Sequence, residues 1–312
     1  MSFPVFDLHC DTALKLLGRN YYAEGLLRKN SFHVDLERAM KYPGYCQCFA
    51  CFTSPLEALP PKITVEDSFE RQLAVLLREI NGNMDLIQQA YCADDIKANQ
   101  KAGRMSAVFT IEGPAGFGFD PDLLENMAQI GFRITTLGWN ESNQLTGSCK
   151  TSEGLTDLGR EYVKEAQRVG MLVDVSHISD KGFWDIIDIT QAPIIASHSN
   201  SRAVLNHHRN LSDDMFLAIC QTGGVTGINL GSHFVADNGS LDDVCNHIFH
   251  FLELDHSGKH IALGGDLDGV SRLVDGFSGV ESYDVLAEKL SLKGLPDHMI
   301  ADIFWNNAVG VL

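Results

Sequence analysis

Eight short apolar runs rich in β-branched residues recur along the whole chain, and they constrain its fold more than any other feature. The runs cover residues 5–11, 45–52, 106–112, 133–139, 171–177, 193–198, 224–230 and 260–266. Each run is almost continuously hydrophobic, as expected for parallel strands that are covered on both faces. Segments with helical spacing lie between most of the runs, and this alternation predicts a parallel α/β fold.

The segments between the runs carry the start and stop signals of helices. One predicted helix has its apolar residues on a single face, and a candidate capping pair, Thr64 with Asp67, precedes it. Another begins after Thr156 and ends at Gly170. Further predicted helices begin after Ser179 and Ser212 or cover residues 281–292 and 296–309.

Eight strands that alternate with helices are the pattern of a (β/α)8 barrel, a TIM-like fold. A doubly wound open sheet is the alternative that the same pattern allows. The 312 residues would suffice for two average domains or for one large barrel. Because no internal repeat or linker-like segment interrupts the chain, we predict one domain over residues 1–312.

The charge balance excludes some classes of partner. The chain has 24 Lys and Arg against 41 Asp and Glu, a formal charge of −17. Binding to nucleic acid or to an anionic membrane needs clustered basic residues, so neither partner is expected. No export signal precedes the first run, and no apolar stretch reaches the roughly 18 residues that span a bilayer. We therefore expect a cytoplasmic protein, and a homodimer is one assembly compatible with the sequence.

Three of the eight cysteines, Cys46, Cys48 and Cys51, are spaced closely enough to suggest a zinc cluster. The alternation of residues 45–52 instead predicts a strand, on which Cys46 and Cys48 point to one side and Cys51 to the other. We therefore interpret these thiols as buried strand residues.

Several runs end in residues that bind metals. The first run ends in His9-Cys10-Asp11, and residues i and i+2 of a strand point to the same side. Other runs end in Glu112, His177, His198 and Asp266. The C-terminal strand ends of a barrel meet at one mouth, so these side chains are predicted to converge. Each residue alone has an ordinary structural explanation, but burying so many charges together without a cation would be costly.

Three imidazoles and two carboxylates suit zinc, with manganese, cobalt or iron as substitutes. Five ligands are too many for one tetrahedral ion with an open position, but they fit two ions if one carboxylate bridges. In this arrangement His9, Asp11 and Glu112 hold one ion, while Glu112, His177 and His198 hold the other. Two ions about 3.5–4 Å apart can share a hydroxide and polarise a carbonyl, which is hydrolytic chemistry.

Six motifs follow one another between residues 7 and 270. They are Asp7-Leu8-His9-Cys10-Asp11, Ile111-Glu112-Gly113, Asp174-Val175-Ser176-His177, Ser197-His198-Ser199, His208-Arg209-Asn210 and Gly265-Asp266-Leu267-Asp268-Gly269-Val270. In kind and order they resemble the motifs of the membrane dipeptidase family, also called renal dipeptidases. The resemblance implies an amidohydrolase-type metal barrel and a binuclear zinc peptidase. The lack of an export signal departs from the family's membrane members and indicates a microbial, cytoplasmic one. Such enzymes cleave dipeptides, often with a D-residue at the second position.

The resemblance also implies roles for single residues. The five ligands match the family's zinc ligands, with Glu112 in the bridging place. Arg209 matches the arginine that binds the substrate's terminal carboxylate. Asp266 matches the acid that holds the free amine and handles the proton of the attacking water, while Asp268 either shares this work or caps the next turn. Relatives from animals have a histidine where this chain has Trp139, which either donates to the scissile carbonyl or forms a pocket wall.

We therefore expect a metallodipeptidase with dipeptides as substrates. Two alternatives stay open. One is another amidohydrolase that acts on N-acyl amino acids, cyclic amides or lactones through the same metal site. The other is a non-catalytic barrel kept for ligand binding or as a structural partner, which the complete set of ligands disfavours.

Overall fold

The computed structural model describes residues 3–18 and 26–312, in which nine parallel strands form one sheet. The strands are β1 (Val5–Cys10), β2 (Tyr45–Phe52), β3 (Ile87–Gln89), β4 (Met105–Glu112), β5 (Phe132–Thr136), β6 (Leu172–Asp174), β7 (Ile194–Ile195), β8 (Thr226–Ile228) and β9 (Ile261–Leu263). Their order is β7-β6-β5-β4-β2-β1-β9-β8, and a parallel bridge between Ala196 and Thr226 joins the two ends. The predicted (β/α)8 barrel is confirmed, and the alternative of an open doubly wound sheet is wrong.

Each of the eight predicted runs contains one barrel strand, whereas β3 is an additional strand that the sequence did not predict. It pairs with residues 105–107 of β4, along the edge that β5 occupies further on. Its sequence, Ile87-Gln88-Gln89, has a single apolar residue. This strand is therefore defined by its backbone hydrogen bonds to β4, and no apolar run in the sequence marks it.

Helices surround the barrel. The α-helices of the described residues are α1 (Thr12–Leu17), α2 (Leu36–Ala39), α3 (Val65–Gly82), α4 (Ala93–Lys101), α5 (Leu124–Ile130), α6 (Asp157–Arg168), α7 (Asp180–Ile187), α8 (Asp213–Thr222), α9 (Ser232–Val235), α10 (Leu241–Leu254), α11 (Tyr283–Leu292), α12 (Asp297–Ala301) and α13 (Asn307–Val311). All four predicted N-caps, Thr64, Thr156, Ser179 and Ser212, accept a hydrogen bond from the third residue of their helix.

The last predicted helix, residues 296–309, differs from the observed structure. A π-helical turn at Asp302–Asn306 separates α12 from α13. Ile303, Phe304 and Trp305 are all buried in this turn. A regular helix with one buried face does not bury three consecutive side chains, and the wider π turn accommodates them.

The barrel strands separate two apolar clusters. The inner cluster contains alternate strand residues such as Phe6, Leu8 and Val108, together with Cys46 and Cys48. The outer cluster lies between the strands and the helices, and it includes Cys51. The predicted orientation of these three cysteines is thus confirmed, and burial raises the pKa of each thiol. Within residues 3–18 and 26–312, no helix is both long and apolar enough to cross a membrane.

Candidate metal centre

Four side chains converge around Glu112, the last residue of β4. Its Oε2 atom lies 3.4 Å from Nε2 of His9, and its Oε1 atom lies 3.1 Å from Nε2 of His177. His9 Nε2 is also 3.4 Å from Oδ2 of Asp11, and the Nε2 atoms of His177 and His198 are 2.8 Å apart. The structure therefore brings together all five residues that the sequence proposed as ligands.

A β-bulge in β1 directs His9 towards this centre. Phe6 and Leu8 belong to the inner cluster, so strict alternation would turn His9 outward. The pairing with β2 shifts between Asp7 and Cys10, where three steps along β1 face two steps along β2. The extra residue reverses the alternation, so that His9 and Asp11 face inward and Cys10 joins the outer cluster.

Left-handed backbone conformations occur at several residues of the centre. His177 has φ 70°, Asp266 has φ 55° and Asp268 has φ 68°. Residues other than glycine rarely adopt such angles, and they do so mainly where the surrounding structure holds them in place. His177 directly follows Ser176. The left-handed φ changes the direction of the backbone at His177 and allows its ring to reach Glu112.

Two buried aspartates hold the backbone next to the ligands, and the sequence analysis gave neither of them a role. Asp7 Oδ1 accepts hydrogen bonds of 2.9 Å from the N–H groups of His9 and Gly265. Asp174 Oδ1 accepts bonds of the same length from Ser176 and Ser197. Each aspartate thus ties together two ligand-bearing chain segments. The available signal was an aspartate two residues before the bonded N–H, in Asp7-x-His9 and Asp174-x-Ser176.

Hydrogen bonds fix the tautomers of two imidazoles. His177 Nδ1 lies 3.1 Å from Oδ1 of Asn140, an acceptor, so Nδ1 has the hydrogen and Nε2 has the lone pair. Ser197 Oγ donates to Asp174 Oδ2 and therefore accepts from His198 Nδ1 at 2.7 Å. Asn140 was not predicted to act here, although it directly follows Trp139, which was predicted to line the site.

The electrostatics fit the same assignment. Burial lowers the pKa of His177 and His198 well below the usual value, so both rings are neutral ligands. Burial and the charge of Asp11 raise the pKa of Glu112. Burial also opposes the charging of His9, but the carboxylates of Glu112 and Asp11 outweigh it and raise the pKa of His9 well above its usual range.

The donor set fits divalent cations. His9 Nε2 is buried and has no hydrogen-bond partner among the described residues. The lone pairs of His177 and His198 face each other at 2.8 Å beside a carboxylate, an arrangement that a cation would relieve. Ligand atoms of His9, Glu112 and His198 lie within 4.8 Å of one another, and so do those of His9, Asp11 and Asp266. Either set of residues can therefore hold a divalent cation.

Asp266 and Asp268 have different surroundings. Asp266 is buried beside the cluster, and its Oδ2 accepts a 2.9 Å hydrogen bond from Asn229, a further residue that the sequence did not single out. Burial raises the pKa of Asp266. The Asp268 carboxylate accepts hydrogen bonds from the Thr12 hydroxyl at 2.6 Å and from the His33 N–H at 2.8 Å. Asp268 is thus engaged in joining chain segments at the mouth.

Arg209 lies directly behind the centre. Its Nη2 atom is 3.5 Å from the carbonyl oxygen of His198, and its guanidinium stacks on Phe234 with 5.6 Å to the ring centre. The side chain is buried, yet Nε has no hydrogen-bond partner in the part of the chain that the structure describes. Burial lowers the pKa of Arg209. A buried guanidinium with unused donors is prepared for an anionic group.

A cavity of about 1100 Å³ opens above the cluster. Acidic side chains, including Glu112 and Asp266, form its base, and aromatic rings form much of its wall. The aromatic residues are Phe32, Phe52, Trp139 and Phe234. The Trp139 ring lies 6.1 Å from the His177 ring and packs edge-on against Phe52. Trp139 therefore forms part of the wall of this cavity.

Comparison with known proteins identifies the family. The model of the membrane dipeptidases, peptidase family M19, matches residues 1–312. The chain belongs to this family. The family is one of peptidases, and a solved member of it, dipeptidase AC, is a metallopeptidase.

Two curated relatives support this assignment. An uncharacterized dipeptidase of Schizosaccharomyces pombe is 32% identical over 223 residues, which are 69% of this chain and 54% of that protein. The chain thus matches about half the length of this relative. A Klebsiella pneumoniae protein encoded in the pqqA 5' region is 30% identical over 260 residues, 79% of this chain and 95% of that protein.

Solved structures show the same barrel over the full chain. Dipeptidase AC, a metallopeptidase of family M19, is 25% identical with a TM-score of 0.89, covering 100% of this chain and 98% of that chain. A metallopeptidase from Rhodobacter sphaeroides, liganded with a phosphinate mimic of the dipeptide L-Ala-D-Ala, is 24% identical with the same TM-score. That likeness covers 100% of this chain and 99% of the other.

Proposed function

We propose that this chain is a binuclear zinc dipeptidase that accepts L-Xaa-D-Xaa as well as L-Xaa-L-Xaa dipeptides. The main supporting observation is the position of Glu112 between two groups of imidazoles. One of its oxygens faces His9 and the other faces His177, at 3.4 and 3.1 Å. A carboxylate that offers each oxygen to a different set of ligands is suited to bridge two ions.

His9, Asp11 and Glu112 would hold one cation, and Glu112, His177 and His198 the other. When bound, such a pair supplies an activated water and polarises the scissile carbonyl. The protein contributes the fixed tautomers of His177 and His198 and a largely buried floor to the cavity. Asp7 and Asp174 hold the ligand-bearing backbone from behind.

Asp266 binds the free amine of the dipeptide, accepts the proton that the attacking water releases and passes this proton to the leaving nitrogen. Its carboxylate lies in the same cluster as His9 and Asp11, and Asn229 fixes its orientation. Because burial raises its pKa, this acid takes up a proton more readily than an exposed aspartate would. Asp268 has a positioning role, since its oxygens are occupied by Thr12 and His33.

Arg209 binds the terminal carboxylate of the dipeptide. Its unpartnered Nε supports this role, because a substrate carboxylate would supply the missing acceptor. Trp139 lines the cavity beside His177, where its indole N–H can donate to the carbonyl of the substrate.

The proposal is tested by metal analysis together with a substrate panel. Elemental analysis should give at least two divalent ions per chain, and dipeptides should be hydrolysed faster than their N-acetylated and C-amidated forms. Equal turnover of free and blocked dipeptides would contradict the two charge contacts. Faster turnover of N-acyl amino acids, cyclic amides or lactones would favour the broader amidohydrolase alternative.

A further inference from the structure

Three potential ligands lie close together on the side of the barrel opposite to the mouth. They are Cys220 near the end of α8, Asp255 at the C-cap of α10 and His260 directly before β9. One ligand atom of each side chain lies within 4.8 Å of the other two, and all three side chains are partly exposed. Asp266 follows β9 at its other end. A strand rise of about 3.3 Å per residue therefore separates this cluster from the mouth by roughly 20 Å.

The side chains of the cluster are oriented by bonds that leave their ligand atoms available. His260 Nδ1 lies 2.7 Å from the carbonyl oxygen of Gly224, so Nδ1 has the hydrogen and Nε2 has the lone pair. The Asp255 carboxylate accepts hydrogen bonds from the N–H and the hydroxyl of Ser257. Its charge is unpaired within residues 3–18 and 26–312, where no Lys or Arg forms a salt bridge with it.

The surroundings of the cluster are electrically negative. The C-terminal ends of α8 and α10 both point here, and neither helix has a basic residue in its last turn. Each helix end contributes a partial negative charge, which adds to the Asp255 carboxylate. Burial and this carboxylate raise the pKa of the Cys220 thiol to about 12, so a bound cation would have to displace the thiol proton.

We propose that Cys220, Asp255 and His260 form a second metal site, which takes zinc or another thiolate-binding divalent cation and is independent of the catalytic centre. A tetrahedral zinc with bonds of about 2.0–2.3 Å needs ligand atoms roughly 3.3–3.8 Å apart, which small side-chain rotations would provide. The fourth position is open to water. The ion joins the ends of α8 and α10 to the start of β9, so its role is to stabilise the N-terminal face of the barrel.

Cobalt distinguishes this site from the mouth, because the side chains that line the mouth cavity include no cysteine among the described residues. The full chain is produced in cobalt-supplemented minimal medium, and its near-ultraviolet thiolate-to-cobalt charge-transfer band is measured. We expect this band in the unmodified protein and its loss in Cys220→Ser, with one metal equivalent per chain less by elemental analysis. Dipeptide hydrolysis should be unchanged in Cys220→Ser.

Two further variants make the result specific. Cys149→Ser alters a partly exposed thiol on the mouth side of the barrel and should retain the band. His260→Asn retains an N–H donor for Gly224 but removes Nε2, and we expect it to weaken cobalt binding by at least about tenfold. Absence of the charge-transfer band from a protein that shows the cobalt absorption of the mouth would overturn the proposal. Persistence of the band in Cys220→Ser would do the same.

Discussion

The hydroxyl oxygen of Ser197 lies 2.7 Å from Nδ1 of His198. Since the hydroxyl hydrogen is donated to Asp174, the oxygen can only accept, and the ring hydrogen of His198 stays on Nδ1. Replacing Ser197 with Ala should release the tautomer and weaken metal binding by about 10- to 100-fold. Ser199→Ala is the matched control, because the buried Ser199 hydroxyl has no hydrogen-bond partner within residues 3–18 and 26–312. Equal metal affinity of the two variants in a chelator competition would contradict this role of the Ser197 hydroxyl.

Glu112→Gln retains the size of the side chain and removes its charge. We expect it to lose most of the activity and at least one ion, since an amide cannot offer an anionic oxygen to both sides. Glu79→Gln is a suitable control, because Glu79 is also buried but accepts hydrogen bonds from Leu27 and Arg78 away from the mouth. Full metal occupancy of Glu112→Gln by elemental analysis would show that Glu112 does not bridge.

Arg209→Lys retains the positive charge but loses the planar fork that binds both carboxylate oxygens. We expect kcat/KM for dipeptides to fall by about 30-fold or more, equivalent to ~2 kcal/mol. For a C-amidated dipeptide the same substitution should change little, because the contact is already absent. If the two losses simply add in a double-mutant cycle, Arg209 does not bind the terminal carboxylate of the dipeptide. Arg202→Lys, at a salt bridge with Asp180, controls for the loss of a guanidinium.

Gly269 lies where the carboxylates of Asp11 and Asp266 approach each other. A Cβ atom at this position would be 2.1 Å from Asp11 Oδ2 and 2.3 Å from Asp266 Oδ1. Gly269→Ala should therefore displace both acids and lower kcat/KM by at least about tenfold, without unfolding the barrel. Gly82→Ala, at a position with nothing within 4 Å of the added carbon, should retain full activity. Wild-type kinetics of Gly269→Ala would mean that the two carboxylates need no such space.

Stereochemistry at the second residue should matter little. Charge contacts at the two ends and the metals at the carbonyl do not read the hand of that Cα directly. We expect L-Ala-D-Ala and L-Ala-L-Ala to have kcat/KM values within about tenfold, or ~1.4 kcal/mol. D-Ala-L-Ala should be much slower, because its amine cannot reach Asp266 while its carbonyl is in place. A preference above about a hundredfold for L at the second position would indicate a closed pocket.

The strand pattern allowed the barrel and most of its centre to be predicted from sequence. Glu112 continues the alternation of Val108 along β4, and Asp266 continues that of Ala262 along β9, so both face inward by simple counting. His9 and His177 do not follow this rule. A bulge directs the first and a left-handed φ the second, and neither feature has a marker in the sequence.

The supporting polar residues were harder to predict than the ligands. Asn140 and Asn229 each contact a residue of the centre from another chain segment, 37 positions away in sequence. Spacing along one strand cannot reveal such a contact, because the distance depends on how neighbouring strands and loops pack. The additional strand β3 was missed for a similar reason, since its pairing with β4 defines it.

The bulge in β1 changes which set of alternate side chains faces the barrel interior. Before it, even-numbered positions face the barrel interior; after it, odd-numbered positions do. On this six-residue strand, the packing residues Phe6 and Leu8 and the metal ligand His9 therefore follow two opposite alternations. If the strand retained all its residues but lost the bulge, the alternation of Phe6 and Leu8 would continue and turn the thiol of Cys10 towards the mouth in place of the imidazole of His9. The strand would still be buried and paired, yet its metal ligands would face the surrounding helices.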